Sequence, residues 1–226
     1  MSASAHLAPL TEAGWLATAN PSLRQAILDL GRLRTLDQGE QFQKIGDQKV
    51  GMWGVAEGQV GISTVYGPAN LTQFIYQPGE WGGYAPLLGS PRLADVFARM
   101  PTLILFIPYA PLQGMLANNP VWWKDLARLA LHDAHRFGAW GADLLQKSSR
   151  SRTAAILLHL SGSRFSGNAS FPVLASHAEI GEMANLSRHP VEMILHEFEH
   201  LGWIACGYRR LDLLDATALR RMADAG

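Results

Sequence analysis

Cysteine is almost absent: Cys206 is the one thiol in 226 residues. It cannot close an intramolecular disulfide or hold an iron–sulfur cluster. The expectation is a reducing, cytoplasmic setting, where the N-x-S/T triplets at Asn70, Asn168 and Asn185 are chance matches without a glycan. Net charge is lacking too, since 19 basic residues balance 19 acidic ones. That excludes a polybasic tail and gives no electrostatic pull toward a membrane surface. Apolar runs are short, none approaching the roughly 20 residues that span a bilayer. The first residues also lack the basic stretch and apolar core of a leader peptide. What is present is 48% hydrophobic content, which suits a soluble chain with two modest cores.

Residues 10–30 carry two short helical patterns, with Trp15, Leu16, Leu23, Ile27 and Leu30 as anchors and Asn20-Pro21 as the break. From 33 to 108 the pattern becomes short runs: Val50 to Val55, Gln59 to Val65, Leu71 to Tyr76 and Leu103 to Ile107. Gly39, Gly46-Asp47, Glu57-Gly58, Gly67-Pro68 and Pro78-Gly79 punctuate them, and such regular turn signals predict a small antiparallel barrel or roll.

After Asn119-Pro120, residues 121–147 read as one long helix in which Gly138 and Gly141 are the only breaks. Trp123, Ala127, Ala130, Ala134, Phe137, Gly141 and Leu144 recur in steps of four and three, the seam of a two-stranded coiled coil. Trp122, Leu126, Leu129 and Trp140 form a second stripe suited to the chain's own roll. A monomeric helix buried on both sides fits the same pattern. Lys147 to Arg152 reads as a polar hinge, and Thr153 to Leu160 as a core helix.

Residues 176–204 hold two helical patterns around a tight break. Ser176 caps the first, Glu179 completes a capping box, and Ile180 and Met183 recur at helical spacing. Asn185 stands at the turn, where a left-handed residue is needed. Ser187 caps the second helix, with Pro190 in its first turn. Val191, Ile194, Leu195 and Phe198 form its apolar stripe, which leaves Arg188, His189, Glu192, Met193 and His196 on or near the outward side. A helix so arranged suits a DNA groove.

The Glu179-Ile180-Gly181 and Ser187-Arg188-His189-Pro190-Val191 stretches resemble the E-I-G and S-R-x-x-V patterns of the Crp/Fnr transcription regulators. Leu201 to Ile204 and Gly207 to Leu214 are similar to that family's wing. Gly39-Glu40, Gly46-Asp47, Glu57-Gly58 and Pro78-Gly79-Glu80 resemble its roll, so the likeness covers nearly the whole chain. It implies an α+β fold: a cyclic-nucleotide-binding-like antiparallel β-roll with N-terminal helices over 1–118, a long dimerisation helix and hinge over 119–148, and a winged helix-turn-helix over 149–226. It also implies a homodimer on double-stranded DNA at a pseudo-palindromic operator, with RNA polymerase as a further partner and no catalytic residue, metal or cofactor.

By the match of positions Arg188 and His189 face base edges and Ser176 and Ser187 face phosphates, with His177, Glu192, Met193 and His196 on the same surface. Met193 is a departure, because well-studied members carry an arginine there. In the family's cyclic-AMP binders a cassette supplies a glutamate for the ribose and an arginine for the phosphate. Here Tyr84 stands at the glutamate position and Leu93 after Arg92, and Phe137-Gly138 replaces a hydroxyl pair on the long helix. These four residues outline the effector pocket of an unidentified small molecule, with cyclic AMP disfavoured. A lone loop arginine such as Arg92 otherwise reads as a solvated charge, and His6, His132 and His135 fit no haem pattern.

Two other readings compete. His196-Glu197-Phe198-Glu199-His200 spells the H-E-x-x-H of zinc hydrolases, yet Trp203 and Cys206 occupy the positions of the extended motif's glycine and third histidine. The second alternative is a β-roll whose C-terminal helices bind only protein. Charge does not separate them, because residues 151–226 hold seven arginines and eight carboxylates, not the basic excess of a strong non-specific DNA binder.

Overall fold

The structure is a computed structural model that describes residues 3–47, 51–64, 72, 74–165, 171–208 and 210–225. Val50, Val65, Gly67-Pro68, Asn70, Leu71, Asn168 and Arg209 lie outside them. The chain forms two compact units, divided between Asp133 and Ala134.

The first unit opens with α1 (Ala3–Glu12), α2 (Gly14–Thr18) and α3 (Pro21–Leu30), one helix more than the residue pattern suggested. The extra helix α1 carries Pro9 in its interior, which weakens any local signal. Tertiary burial compensates: Leu10 is fully buried, and a Cβ on Gly54 would lie 2.7 Å from its side chain. The Asn20-Pro21 break is a helix start, with the Asn20 side chain accepting from Ser22 N at 2.9 Å and Pro21 in the first turn.

Among the described residues eight strands follow: β1 (Arg32–Leu36), β2 (Gln41–Gln43), β3 (Gly51–Glu57), β4 (Val60–Thr64), β5 (Phe74–Tyr76), β6 (Trp81–Gly82), β7 (Ala94–Ala98) and β8 (Thr102–Pro108). They pair into two four-stranded sheets, β1-β8-β3-β6 and β2-β7-β4-β5, and every pairing is antiparallel. Trp53 opposes Phe106 on β8, and Gly61 opposes both Phe97 on β7 and Ile75 on β5. Then come α4 (Tyr109–Asn118) and α5 (Trp123–Leu144), the long helix, which crosses the division between the units. Leu16, Leu23, Ile27, Met52, Trp81, Ile107, Trp122, Leu126 and Leu129 share one core. Each fully buried large side chain there contributes about 1.5–3 kcal/mol. Trp140 corrects the second-stripe reading: it packs on His159 with ring centres 5.0 Å apart, within the second unit.

That unit contains α6 (Ser149–Leu160), α7 (His177–Met183), α8 (Arg188–His200), the hairpin β9 (Ile204–Gly207) and β10 (Arg210–Leu213), and α9 (Ala216–Asp224), which packs on α6. The expected hinge over Lys147 to Arg152 is another correction. Ser148 Oγ accepts from Ser151 N at 3.2 Å, so α6 begins inside the polar segment. The Arg152 guanidinium then donates to the carbonyls of Gln146 (2.7 Å), Lys147 (3.2 Å) and Ala184 (3.0 Å), which fastens the connection to the end of α7.

Candidate nucleic-acid interface

Helices α7 and α8 are set by the turn between them. Ser176 Oγ accepts from Glu179 N at 3.2 Å, and Ser176 N and Oγ donate to the Glu179 carboxylate at 2.8 and 2.9 Å, a complete capping box. At the other end of α7, Asn185 adopts φ 52°. Asn185 N donates to Glu182 O at 3.1 Å and Leu186 N to Gly181 O at 2.8 Å, the paired bonds of a Schellman turn. A Cβ on Gly181 would meet Leu186 O at 3.1 Å and Val191 Cγ1 at 3.2 Å, so the glycine lets α8 approach α7. Val191, Ile194, Leu195 and Phe198 are buried, as their spacing required.

Outward, Arg188, His189, Met193, His196 and His200 are exposed, while His177 and Glu192 are half-buried. Arg188 Nε donates to Glu192 Oε1 at 2.7 Å. That hydrogen bond holds the Glu192 carboxyl below its ordinary value, with His177 and His189 adding smaller contributions. The other two glutamates of α8 are engaged as well. Glu197 accepts from Arg150 Nε at 3.0 and 2.8 Å, and Glu199 from Cys206 N at 2.9 Å. Burial, then Glu199, pushes the Cys206 thiol up to about 11.

Two expectations for serines need amendment. Ser187 occupies the cap position of α8, but its side chain makes no capping bond. The Ser176 hydroxyl, expected to face a phosphate, is committed to Glu179. In the wing, Ile204 pairs with Leu213 and Gly207 with Arg210, which leaves Tyr208 95% exposed at the tip. His196 and His200 of the H-E-x-x-H stretch lie on the open side of α8. Among the described residues no group of three or more His, Cys, Asp or Glu is placed to hold a metal ion.

The second unit also holds a cluster, spanning α5, α6 and α9, that residue patterns did not reveal. Asp143 at the end of α5 accepts from His159 Nε2 at 2.7 Å and from Arg164 Nε and Nη2 at 3.0 and 2.9 Å. Arg164 also pairs with Asp224 of α9 at 2.8 Å. Burial alone would raise the Asp143 carboxyl, but hydrogen bonds from His159 and Arg164 hold it at about 2. His159 is pushed below its ordinary value, chiefly by burial, with Arg164 and Arg136 opposing a second proton and Asp143 favouring it. A carboxylate only accepts, so the neutral imidazole carries its proton on Nε2.

In the roll, Arg92 overturns the expectation of a solvated charge, being only 4% exposed. Its guanidinium bonds the Gln43 side-chain oxygen and reaches Gly51 O at 3.5 Å, while its Nε has no hydrogen-bond partner among the described residues. Burial lowers the arginine's pKa against the pull of Asp47. Gln43 is fully buried, accepts from Trp53 Nε1 at 3.0 Å and donates to Gly51 O at 3.0 Å. Trp53 fills the space beside it, edge-on to Phe42 and Tyr76 at 5.7 and 5.0 Å. Gly83 (φ 84°) admits that ring, since a Cβ there would lie 2.9 Å from it and 2.7 Å from Gly51 O.

The four expected pocket residues are not brought together within one unit. Tyr84 donates to Asp133 Oδ2 on α5 at 2.9 Å, where Tyr76 also points at 3.4 Å. Leu93 is 43% exposed and Phe137, in the other unit, 42%. Gln43, Trp53 and Asp133 were not anticipated.

A Crp-like helix-turn-helix domain model matches residues 151–222, and a cyclic nucleotide-binding domain model matches residues 33–119. The transcriptional regulator SdrP of Thermus thermophilus is 28% identical over 177 residues, covering 76% of this chain and 83% of SdrP. A crystal structure of a CRP-family transcriptional regulator, also from Thermus thermophilus, superposes with a TM-score of 0.64 at 25% identity, over 84% of this chain and 96% of that one. A putative cyclic nucleotide binding protein of Ruegeria pomeroyi shares the fold, with a TM-score of 0.68 at 17% identity over the full length of both chains.

Proposed function

The chain belongs to the Crp/Fnr transcription regulators, and from that premise we propose that it acts as a homodimer, each α8 reading the major groove of one half of a pseudo-palindromic site. The observation that carries this reading is the division of α8 into a buried stripe and an outward face of Arg188, His189, Glu192, Met193 and His196, with Tyr208 of the wing exposed in the same unit. Arg188 and His189 meet base edges; Ser187 meets phosphate.

The dimer seam follows α5. Ala127, Ala134, Phe137 and Gly141 are exposed there, and Trp123, Ala130 and Leu144 half-buried. Leu131 and Leu145 are 56% and 86% exposed, which turns the centre of the seam toward Ala127, Leu131, Ala134, Gly138, Gly141 and Leu145, still in heptad steps. The protein works in the cytoplasm, with RNA polymerase as its downstream partner and without catalysis of its own. Cyclic AMP is not its effector: Gln43 and Trp53 occupy the surroundings of Arg92, and Tyr84 donates to Asp133 where a carboxylate would accept from ribose.

Capture of genomic fragments on the purified protein, followed by footprinting, tests the reading. The expected result is protection with inverted symmetry and half-site centres about 34 Å apart. Protection without symmetry, or a monomer by light scattering at micromolar concentration, would refute it.

A further inference from the structure

Met193 is a large apolar side chain, 59% exposed, on the outward side of a helix whose own apolar stripe is already buried. With Pro190, Ile194 and Glu197 it lines a cleft of about 720 Å³ between α8 and the start of α6. The charges beside it are satisfied locally, Glu197 by Arg150 and Glu192 by Arg188. A thioether donates no hydrogen bond and accepts only weakly, so Met193 has nothing to offer the polar atoms of a base edge. Contact with an apolar group is what removes its surface from water. In the major groove, the apolar feature a base pair presents is the C5-methyl of thymine.

We propose that Met193 selects a C5-methyl group, that of thymine or equally of 5-methylcytosine, at one position in each half-site. This rests on the reading of α8 as the recognition helix. Discrimination comes from apolar contact at Met193, while Arg188 reads a neighbouring base by hydrogen bonding.

The test begins with an operator obtained by selection from random duplex. Each thymine is replaced in turn by deoxyuridine, which removes only the methyl, and affinity is read by fluorescence anisotropy. One thymine per half-site should lose about fourfold in affinity on replacement, the value of one buried methyl group. 5-Methylcytosine paired with guanine there should outbind cytosine by a similar factor. Met193→Ala should bind the thymine and deoxyuridine duplexes equally, and Met193→Leu should keep the preference. If no thymine responds, or if Met193→Ala retains the full response, the assignment to Met193 is wrong while specific binding stands. If selection returns no sequence held more tightly than random duplex, the recognition-helix reading and the proposal fall together.

Discussion

His159 and Asp143 are joined by a 2.7 Å hydrogen bond in which both side chains are almost wholly buried, 4% and 6% exposed. Trp140 lies tilted over one side of the imidazole and Phe165 meets it edge-on. The pair joins the last turn of α5 to α6, and Arg164 closes it toward α9.

Stability should therefore fall with acid in two stages. The folded value of His159 lies below its ordinary 6.5, so the contribution of the neutral imidazole is complete above pH 6.5 and is lost as the pH drops through the lower folded value. That of Asp143 is complete above 3.8 and is lost as the pH falls through about 2. Urea midpoints measured from pH 8 to 3 should decline below 6.5 in the natural protein. His159→Gln, which keeps a donor for Asp143 without titrating, should flatten the upper part of that decline. Asp143→Asn leaves Arg164 without its main partner and should cost about 3 kcal/mol at neutral pH.

The turn between α7 and α8 gives a second expectation. Asn185→Ala places an alanine at φ 52° and should lower stability by about 1 kcal/mol, whereas Asn185→Gly should be nearly neutral. Gly181→Val, by crowding Leu186 O and Val191, should reduce operator affinity more than either. Thermal unfolding and anisotropy on the same samples separate the effects on stability and binding.

Arg188→Ala should weaken operator binding by about 1–3 kcal/mol and relax the preference at one base position. Glu192→Ala frees the Arg188 guanidinium and removes a carboxylate, so affinity for random duplex should rise. The slope of log K against log salt should steepen by about one charge. Equal loss on operator and random DNA in the first variant would mark Arg188 as a phosphate contact.

Leu131→Glu and Ala134→Glu set like charges across the seam of α5 and should yield monomers by light scattering with no footprint. A dimer that survives both changes would place the interface elsewhere.

Cyclic AMP and cyclic GMP at millimolar concentration should give no saturable heat in calorimetry. A phosphate entering beside Arg92 must first displace Gln43 and the Trp53 ring that it orients, and a buried phosphate with incomplete partners keeps little of its hydration. Micromolar binding with tighter operator affinity would show that Arg92 suffices.

Much of this architecture is local and can be read from the chain. Asn185, Gly181 and the Ser176–Glu179 box each act within a few residues, so the helix-turn-helix is legible down to its turn. The inward stripe of α5 was only half legible. Trp122, Leu126, Leu129 and Trp140 advertise themselves as apolar, but Asp133, Arg136 and Asp143 continue the same steps of three and four and are equally buried. A pattern that counts only apolar residues passes over them. Arg92 was out of reach for another reason: in the loop before β7 it pairs with Gln43 of β2, 49 residues earlier, and nothing beside Arg92 in the chain encodes that pairing.

The Arg152 bonds bear on how this regulator could be rebuilt. A chimera that transplants the DNA-reading module by a cut at Lys147, the obvious polar break, would strand Arg164 and His159 without Asp143 and take from Arg152 its carbonyl at Gln146. The last turns of α5 are part of the transplantable piece. A graft that starts at Ala134, and so carries Trp140 and Asp143 along, keeps every one of these partners in the same cassette.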